Sequence, residues 1–257
     1  MSPAAKTLKA LVITGDGINC EAETAEAFRL AGFDAEVFHL NELIQRKMNL
    51  DQLSSEFSAV ALPGGFSFGD DLASGRVLAL KILHALRWDL HAYATRGGLV
   101  IGICNGFQAL IRMGLFGKAV SITHNQDGHF INRWVRVAPK GNKCAWLRGV
   151  GTIDLPIRHG EGRIIVAPMS RGEVLSKLER QGMLCLNYDG PNPNGSESGI
   201  AGLCDTTGRI FGLMPHPEAF VRWTSHPDWT SRPDAAGSPG DGLAIFENAF
   251  QEAKGSR

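Results

Sequence analysis

Short apolar runs alternate with segments of helical period along the first half of the chain. KALVITG is an apolar run closed by glycine, and CEAETAEAFRLAGF after it repeats its apolar positions at helical spacing, with acids in the first turn. AEVFHL and SAVALPGG read as the second and third strands, with NELIQRKM as a short helix between them. SGRVLALKILHALRWDLHAYATRG predicts one long helix, LVIGIC a fourth strand and NGFQALIRMGLF the helix after it. Strands alternating with helices of about 10–15 residues indicate βαβ units and a parallel sheet covered on both faces.

Beyond about residue 120 the rhythm changes to extended runs: RWVRVAP, GTIDLPI, GRIIVAP and MLCLNYD. GIAGLCDTTGRIFGLMP predicts two strands around a Thr-Thr-Gly turn, and DGLAIFENAFQEAK a last helix. The expectation is an α/β fold spanning 1–257 as a single domain. Its central sheet is mostly parallel with helices on both faces, and the C-terminal half adds an antiparallel region. PDWTSRPDAAGSPGDG is rich in Pro and Gly but short, which suits a surface loop.

Charge adds mainly exclusions. Lys plus Arg and Asp plus Glu both number 26, which leaves no electrostatic footprint for nucleic acid or an anionic membrane. The N-terminal stretch carries no secretory apolar core, and no segment approaches the ~18 apolar residues of a membrane span, so the cytoplasm is the expected location. The five cysteines are odd in number and scattered, with no C-x-x-C pair, which argues against a disulfide framework or zinc cluster. No metal site is expected; His124 and His129 lack a third ligand at a recognisable spacing.

The chemistry concentrates in LVIGICNGFQAL, residues 99–110. Cys104 lies where a strand passes into a helix, between two glycines, in the frame of a nucleophile elbow with sulfur for oxygen. By itself this Cys is equally a small buried apolar residue. A nucleophile needs a base and an orienting group. GLMPHPEAF supplies His216 at a strand end with Glu218 two residues on, although His-Pro-Glu alone is more often a turn. Gly64 and Gly65 end the third strand, where backbone N–H groups can approach a ligand, or simply form a tight turn. GDGINC lacks the lysine and spacing of a phosphate-binding loop and reads as a turn.

Taken together, LPGGFSFGDDLASG, GICNGFQAL, HGEGR, PNGSESGIAGLCD and GLMPHPE resemble the class I (triad) glutamine amidotransferases, whose fold is flavodoxin-like. Within that family, GGFSFGDD, HGEGR and NPNGS resemble the glutaminase subunits of phosphoribosylformylglycinamidine synthase. The resemblance implies Cys104 as nucleophile, His216 as general base and then acid, and Glu218 as orienting carboxylate. It implies an oxyanion hole from the N–H groups of Gly65 and Asn105, and glutamine binding by Gly64 and Gln108. It further implies L-glutamine as substrate and ammonia passed to a synthetase subunit, with a small bridging subunit and no cofactor in this chain. ATP and magnesium would sit on the synthetase.

The resemblance places HGEGR beside the glutamine pocket or the synthetase interface, with no chemical role assigned to His159 or Glu161; Cys20, Cys144, Cys185 and Cys204 are expected to pack as small apolar residues. The chain is less typical of the family in two places: HPEAFVRW lacks the arginine that commonly follows His-Pro-Glu, and the helix expected after DDLASG is long. Three alternatives stay open: an amidotransferase serving another synthetase, a non-catalytic binding protein of the same fold, and a cysteine protease of related fold.

Overall fold

A computed structural model describes residues 7–256. The apolar runs of the first half become four strands: β1 (Lys9–Thr14), β2 (Asp34–His39), β3 (Ala59–Leu62) and β4 (Leu99–Ile103). The second half supplies β5 (Val120–His124), β6 (Ile131–Pro139), β7 (Ile153–His159), β8 (Glu161–Val166), β9 (Leu184–Tyr188), β10 (Ile200–Cys204) and β11 (Ile210–Leu213). Nine strands join in the order β2-β1-β3-β4-β11-β10-β9-β6-β7, while β5 and β8 pair separately. The block β2-β1-β3-β4-β11 is parallel throughout. From β11 outward every pairing is antiparallel. β3 and β4 are buried at every position, as strands covered on both faces must be.

The helices are α1 (Glu21–Leu30), α2 (Leu40–Gln45), α3 (Leu50–Glu56), α4 (Arg76–Leu80), α5 (Leu90–Thr95), α6 (Asn105–Arg112), α7 (Arg171–Arg180) and α8 (Leu243–Gly255). α1 and α8 meet through Phe28 and Phe246, edge to face at 5.1 Å, with Trp146 completing the cluster at 6.3 Å from Phe28. α4 packs on α6.

The long helix expected over 74–97 is broken. α4 widens into a π-helical stretch at Lys81–Leu86, and Arg87 turns left-handed at φ 55°. Asp89 then caps α5, accepting from the Ala92 N–H at 2.9 Å, while Trp88 is buried and donates Nε1–H to the Met48 carbonyl at 2.8 Å. A tertiary anchor and a local cap together override a continuous helical period. α3, β5 and α7 were not expected. α3 is started by a capping box, in which the Asn49 side chain accepts from Gln52 N–H and Gln52 Oε1 from Asn49 N–H.

Candidate active site

Parallel strands carry their ligand sites at their carboxyl ends. Four neighbouring strands of this sheet deliver groups there: β1 the Gly15–Cys20 turn, β3 the Gly64–Gly65 pair, β4 Cys104, and β11 the segment leading to His216.

Cys104 sits at φ 50°, ψ −103°, a sparsely populated conformation for a side chain with a Cβ. Its N–H is held by the Leu213 carbonyl at 2.8 Å, and Gln108 N–H bonds its carbonyl at 3.0 Å, so strand and helix together force the turn. Gly106 explains the second glycine of the frame. A Cβ there would fall 1.8 Å from the Leu62 carbonyl oxygen, so only glycine lets α6 start this close to β3. Cys104 is 4 % exposed, and its Sγ lies 3.6 Å from the Arg158 carbonyl.

His216 and Glu218 are both buried and share a 2.6 Å hydrogen bond between Nδ1 and Oε1. That contact orients the ring, and Nε2 is left buried without a hydrogen-bond partner. Burial alone would lower the pKa of His216. The Glu218 carboxylate and the thiols of Cys104 and Cys20 outweigh it and hold the imidazole well above its usual range. Gly64 is where the chain leaving β3 passes the ring: a Cβ would meet His216 Cε1 at 2.8 Å.

Gly65 pairs with Ile18 in an isolated antiparallel bridge. The bonds of that bridge run from Phe66 N–H to the Gly17 carbonyl (2.7 Å) and from Asn19 N–H to the Gly64 carbonyl (3.3 Å). Gly65 is therefore the non-hydrogen-bonded position, and its N–H takes no part in the pairing. Asn105 opens α6, where the first N–H groups have no acceptor within the helix. Its side chain is fully engaged. Oδ1 accepts from Ser67 N–H at 3.1 Å, and Nδ2 donates to Asp70 Oδ1 at 3.0 Å and Gln108 Oε1 at 2.9 Å. Gln108 in turn donates to the Glu161 carbonyl.

The three subgroup motifs therefore clasp one another. GGFSFGDD grips the start of α6 through Ser67 and Asp70, and the HGEGR turn between β7 and β8 grips it through Glu161 and, one residue upstream, Arg158. NPNGS secures that turn from behind: Asn194 donates to the Gly162 carbonyl at 2.8 Å, and Ser196 Oγ accepts from Ile164 N–H at 3.0 Å.

Two expectations about cysteines need correction. Cys20 is not simply packed: it is part-exposed, and its Sγ lies within 4.8 Å of a His216 ring nitrogen and a Glu218 oxygen. Cys144, Cys185 and Cys204, far apart in sequence, converge with their sulfurs within 4.8 Å of one another, buried and free of disulfides. Neither grouping has a local signal, because chain fold-back alone creates it. His124 and His129 belong to no group of three ligands among the described residues. The Trp223–Trp229 loop packs on itself, with His226 stacked on Trp223 at 5.1 Å and Trp223 donating to the Trp229 carbonyl.

A family model for the CobB/CobQ-like glutamine amidotransferase domain matches residues 7–251. The chain belongs to this family. Among curated relatives of this amidotransferase, phosphoribosylformylglycinamidine synthase subunit PurQ of Dehalococcoides mccartyi is 40 % identical, covering 96 % of this chain and 98 % of that protein. The PurQ subunit of Methanococcus maripaludis strain S2 is 37 % identical over 95 % and 96 %. Among solved structures, PurLQS from Thermotoga maritima superposes with a TM-score of 0.73 at 30 % identity, covering 95 % of this chain and 98 % of that one. A glutamine amidotransferase from the same organism, at 17 % identity and TM-score 0.50, shares the fold. No helix among the described residues is long and apolar enough to cross a membrane.

Proposed function

We propose that this chain is the glutaminase subunit of a phosphoribosylformylglycinamidine synthase. It releases ammonia from L-glutamine for a separate synthetase subunit, which aminates formylglycinamide ribonucleotide to the amidine with ATP. The observation that carries this reading is the placement of Cys104 and the buried His216–Glu218 pair past the ends of the adjacent strands β4 and β11, inside a chain that matches a PurQ subunit over 96 % of its length.

Cys104 Sγ attacks the glutamine Cδ, and His216 takes the thiol proton at Nε2, the nitrogen left unpartnered. Glu218 holds the ring so that Nε2 faces the reaction and stabilises the imidazolium. The oxyanion forms against the N–H groups of Gly65 and Asn105. His216 then returns its proton to the nitrogen, which leaves as ammonia, and water hydrolyses the thioester to glutamate. Gly64 keeps the floor of the site clear beside the ring, and Gln108 holds the wall where glutamine binds. No resident cofactor enters this scheme; ATP and magnesium belong to the synthetase.

A protein partner fits the closure of the site, since Cys104 and His216 are 4 % and 3 % exposed. Phe66 and Phe130, 49 % and 53 % exposed, stand next to Gly65 and the HGEGR turn as an apolar rim for that partner. A small bridging subunit completes the proposed assembly, which works in the cytoplasm as a single amidotransferase domain. Co-purification with the synthetase from the same organism, assayed with glutamine and formylglycinamide ribonucleotide, tests the reading. Glutamine-dependent amidine formation is expected; a stable complex that forms amidine from ammonia but never from glutamine would overturn it.

A further inference from the structure

The HGEGR turn contains a buried imidazole that this chemistry does not use. His159, at the end of β7, is 2 % exposed, and its Nδ1 lies 3.0 Å from Asn125 Oδ1. The Asn125 amide is oriented by its other contacts: Nδ2 donates to the carbonyls of His129 and His159, both at 2.8 Å. Oδ1 is therefore an acceptor, and His159 must present Nδ1–H to it. That fixes the tautomer and leaves the lone pair on Nε2.

Nε2 is buried with no hydrogen-bond partner, a state that a donor would relieve. Gly162 lies flush against the ring: a Cβ there would come within 2.2 Å of His159 Cε1. Burial, with an electrostatic contribution from the neighbouring His216, lowers the pKa of His159 to about 4, so it is neutral at working pH. The flanking Glu161 carboxylate is turned to Arg112 at 3.6 Å. On either side of His159 along the chain, the Arg158 carbonyl touches Cys104 Sγ and the Glu161 carbonyl holds Gln108. The backbone that carries His159 thus forms part of the collar around Cys104, and the ring is close enough to His216 to feel it electrostatically.

Resting on the glutaminase reading above, we propose that His159 Nε2 accepts a hydrogen bond from the ammonia released at Cys104 and keeps it uncharged for transfer to the synthetase. In the step concerned, the glutamine Cδ–N bond breaks, Cδ–S forms, and His216 Nε2–H supplies the proton with which nitrogen leaves as NH3. Ammonia offers three N–H donors, and a neutral imidazole held in the Nδ1–H form meets one of them. A protonated imidazole at the same place would instead transfer its proton and trap ammonium, which is no nucleophile. The tautomer lock and the low basicity serve the same end.

The test uses the reconstituted complex with its synthetase, measuring glutamate and amidine in parallel. His159→Phe keeps an aromatic ring and removes the acceptor, and the smaller His159→Leu replaces it if the larger ring does not fold. The wild type is expected to form about one glutamate per amidine, and the variant about five or more, with ammonia-driven amination unaffected. His159→Gln, which restores a carbonyl acceptor, is expected to bring the ratio back toward one. A ratio that stays near one in the Phe or Leu variant, or glutamate and amidine falling in parallel, would overturn the role. A wild-type complex that makes amidine from ammonia but not from glutamine would instead contradict the glutaminase reading itself.

Discussion

The residues that define the site sit in the least comfortable positions of the chain. Cys104 holds a backbone conformation that costs about 1–3 kcal/mol, and His216 is buried, which by itself disfavours the imidazolium the reaction forms on it. Glu218 offsets that burial. Glu218→Gln is expected to lower glutamine hydrolysis about 10²- to 10⁴-fold while leaving the fold intact, measured as glutamate release by the complex. His159 has the opposite electrostatics. Its folded pKa of about 4 lies below its ordinary value of 6.5. Below pH 6.5 the unfolded chain takes up a proton that the folded chain refuses, so this site's contribution to stability falls as pH drops from about 6.5 to 4. The difference of roughly two and a half units amounts to about 3 kcal/mol at most. Denaturant titrations of wild type and His159→Gln across that window should show the variant losing less stability on acidification. Equal pH dependence would refute the assignment. At this scale the candidate positions Cys104, His216 and Glu218 were legible, because strand-glycine-Cys-glycine and His-Pro-Glu are local patterns. Cys20, Asp70, Asn125 and His159 were not, since only the folded chain brings them to the same place.

Among the elements, the parallel core was legible from β1 to β4 because buried strands read as unbroken apolar runs. The segment 74–97 misled because a helical period persists through Arg87–Trp88–Asp89, where the Trp88 hydrogen bond to Met48 decides the break. α3 carried a readable signal, its capping box, in a stretch too polar to announce a helix. Asn49→Ala should destabilise the protein by about 1 kcal/mol, seen as a lower denaturation midpoint with unchanged slope. Gly106→Ala should do far more, because its Cβ would meet the Leu62 backbone at 1.8 Å and nothing flexible can yield. Loss of both stability and activity is expected, and a variant with wild-type thermal stability would contradict the packing described for the elbow.

For the whole molecule, the sheet order places four parallel strand ends side by side, and the antiparallel extension returns β7 over them: the Pro156 carbonyl accepts from His216 N–H at 2.9 Å. No periodicity in the sequence encodes that return, which is why the wall built by HGEGR and NPNGS emerged only from the fold. The same closure buries Cys104. The isolated chain should therefore hydrolyse glutamine at least about ten-fold more slowly than the complex with its synthetase; equal rates would show that the site needs no partner to open. The central claim, that Cys104 is the acyl acceptor of a subunit feeding ammonia to a synthetase, is tested most directly by Cys104→Ala in the reconstituted complex. The account predicts that amidine formation from glutamine is abolished while formation from ammonia continues at the wild-type rate. Glutamine-dependent turnover that survives the substitution would contradict it.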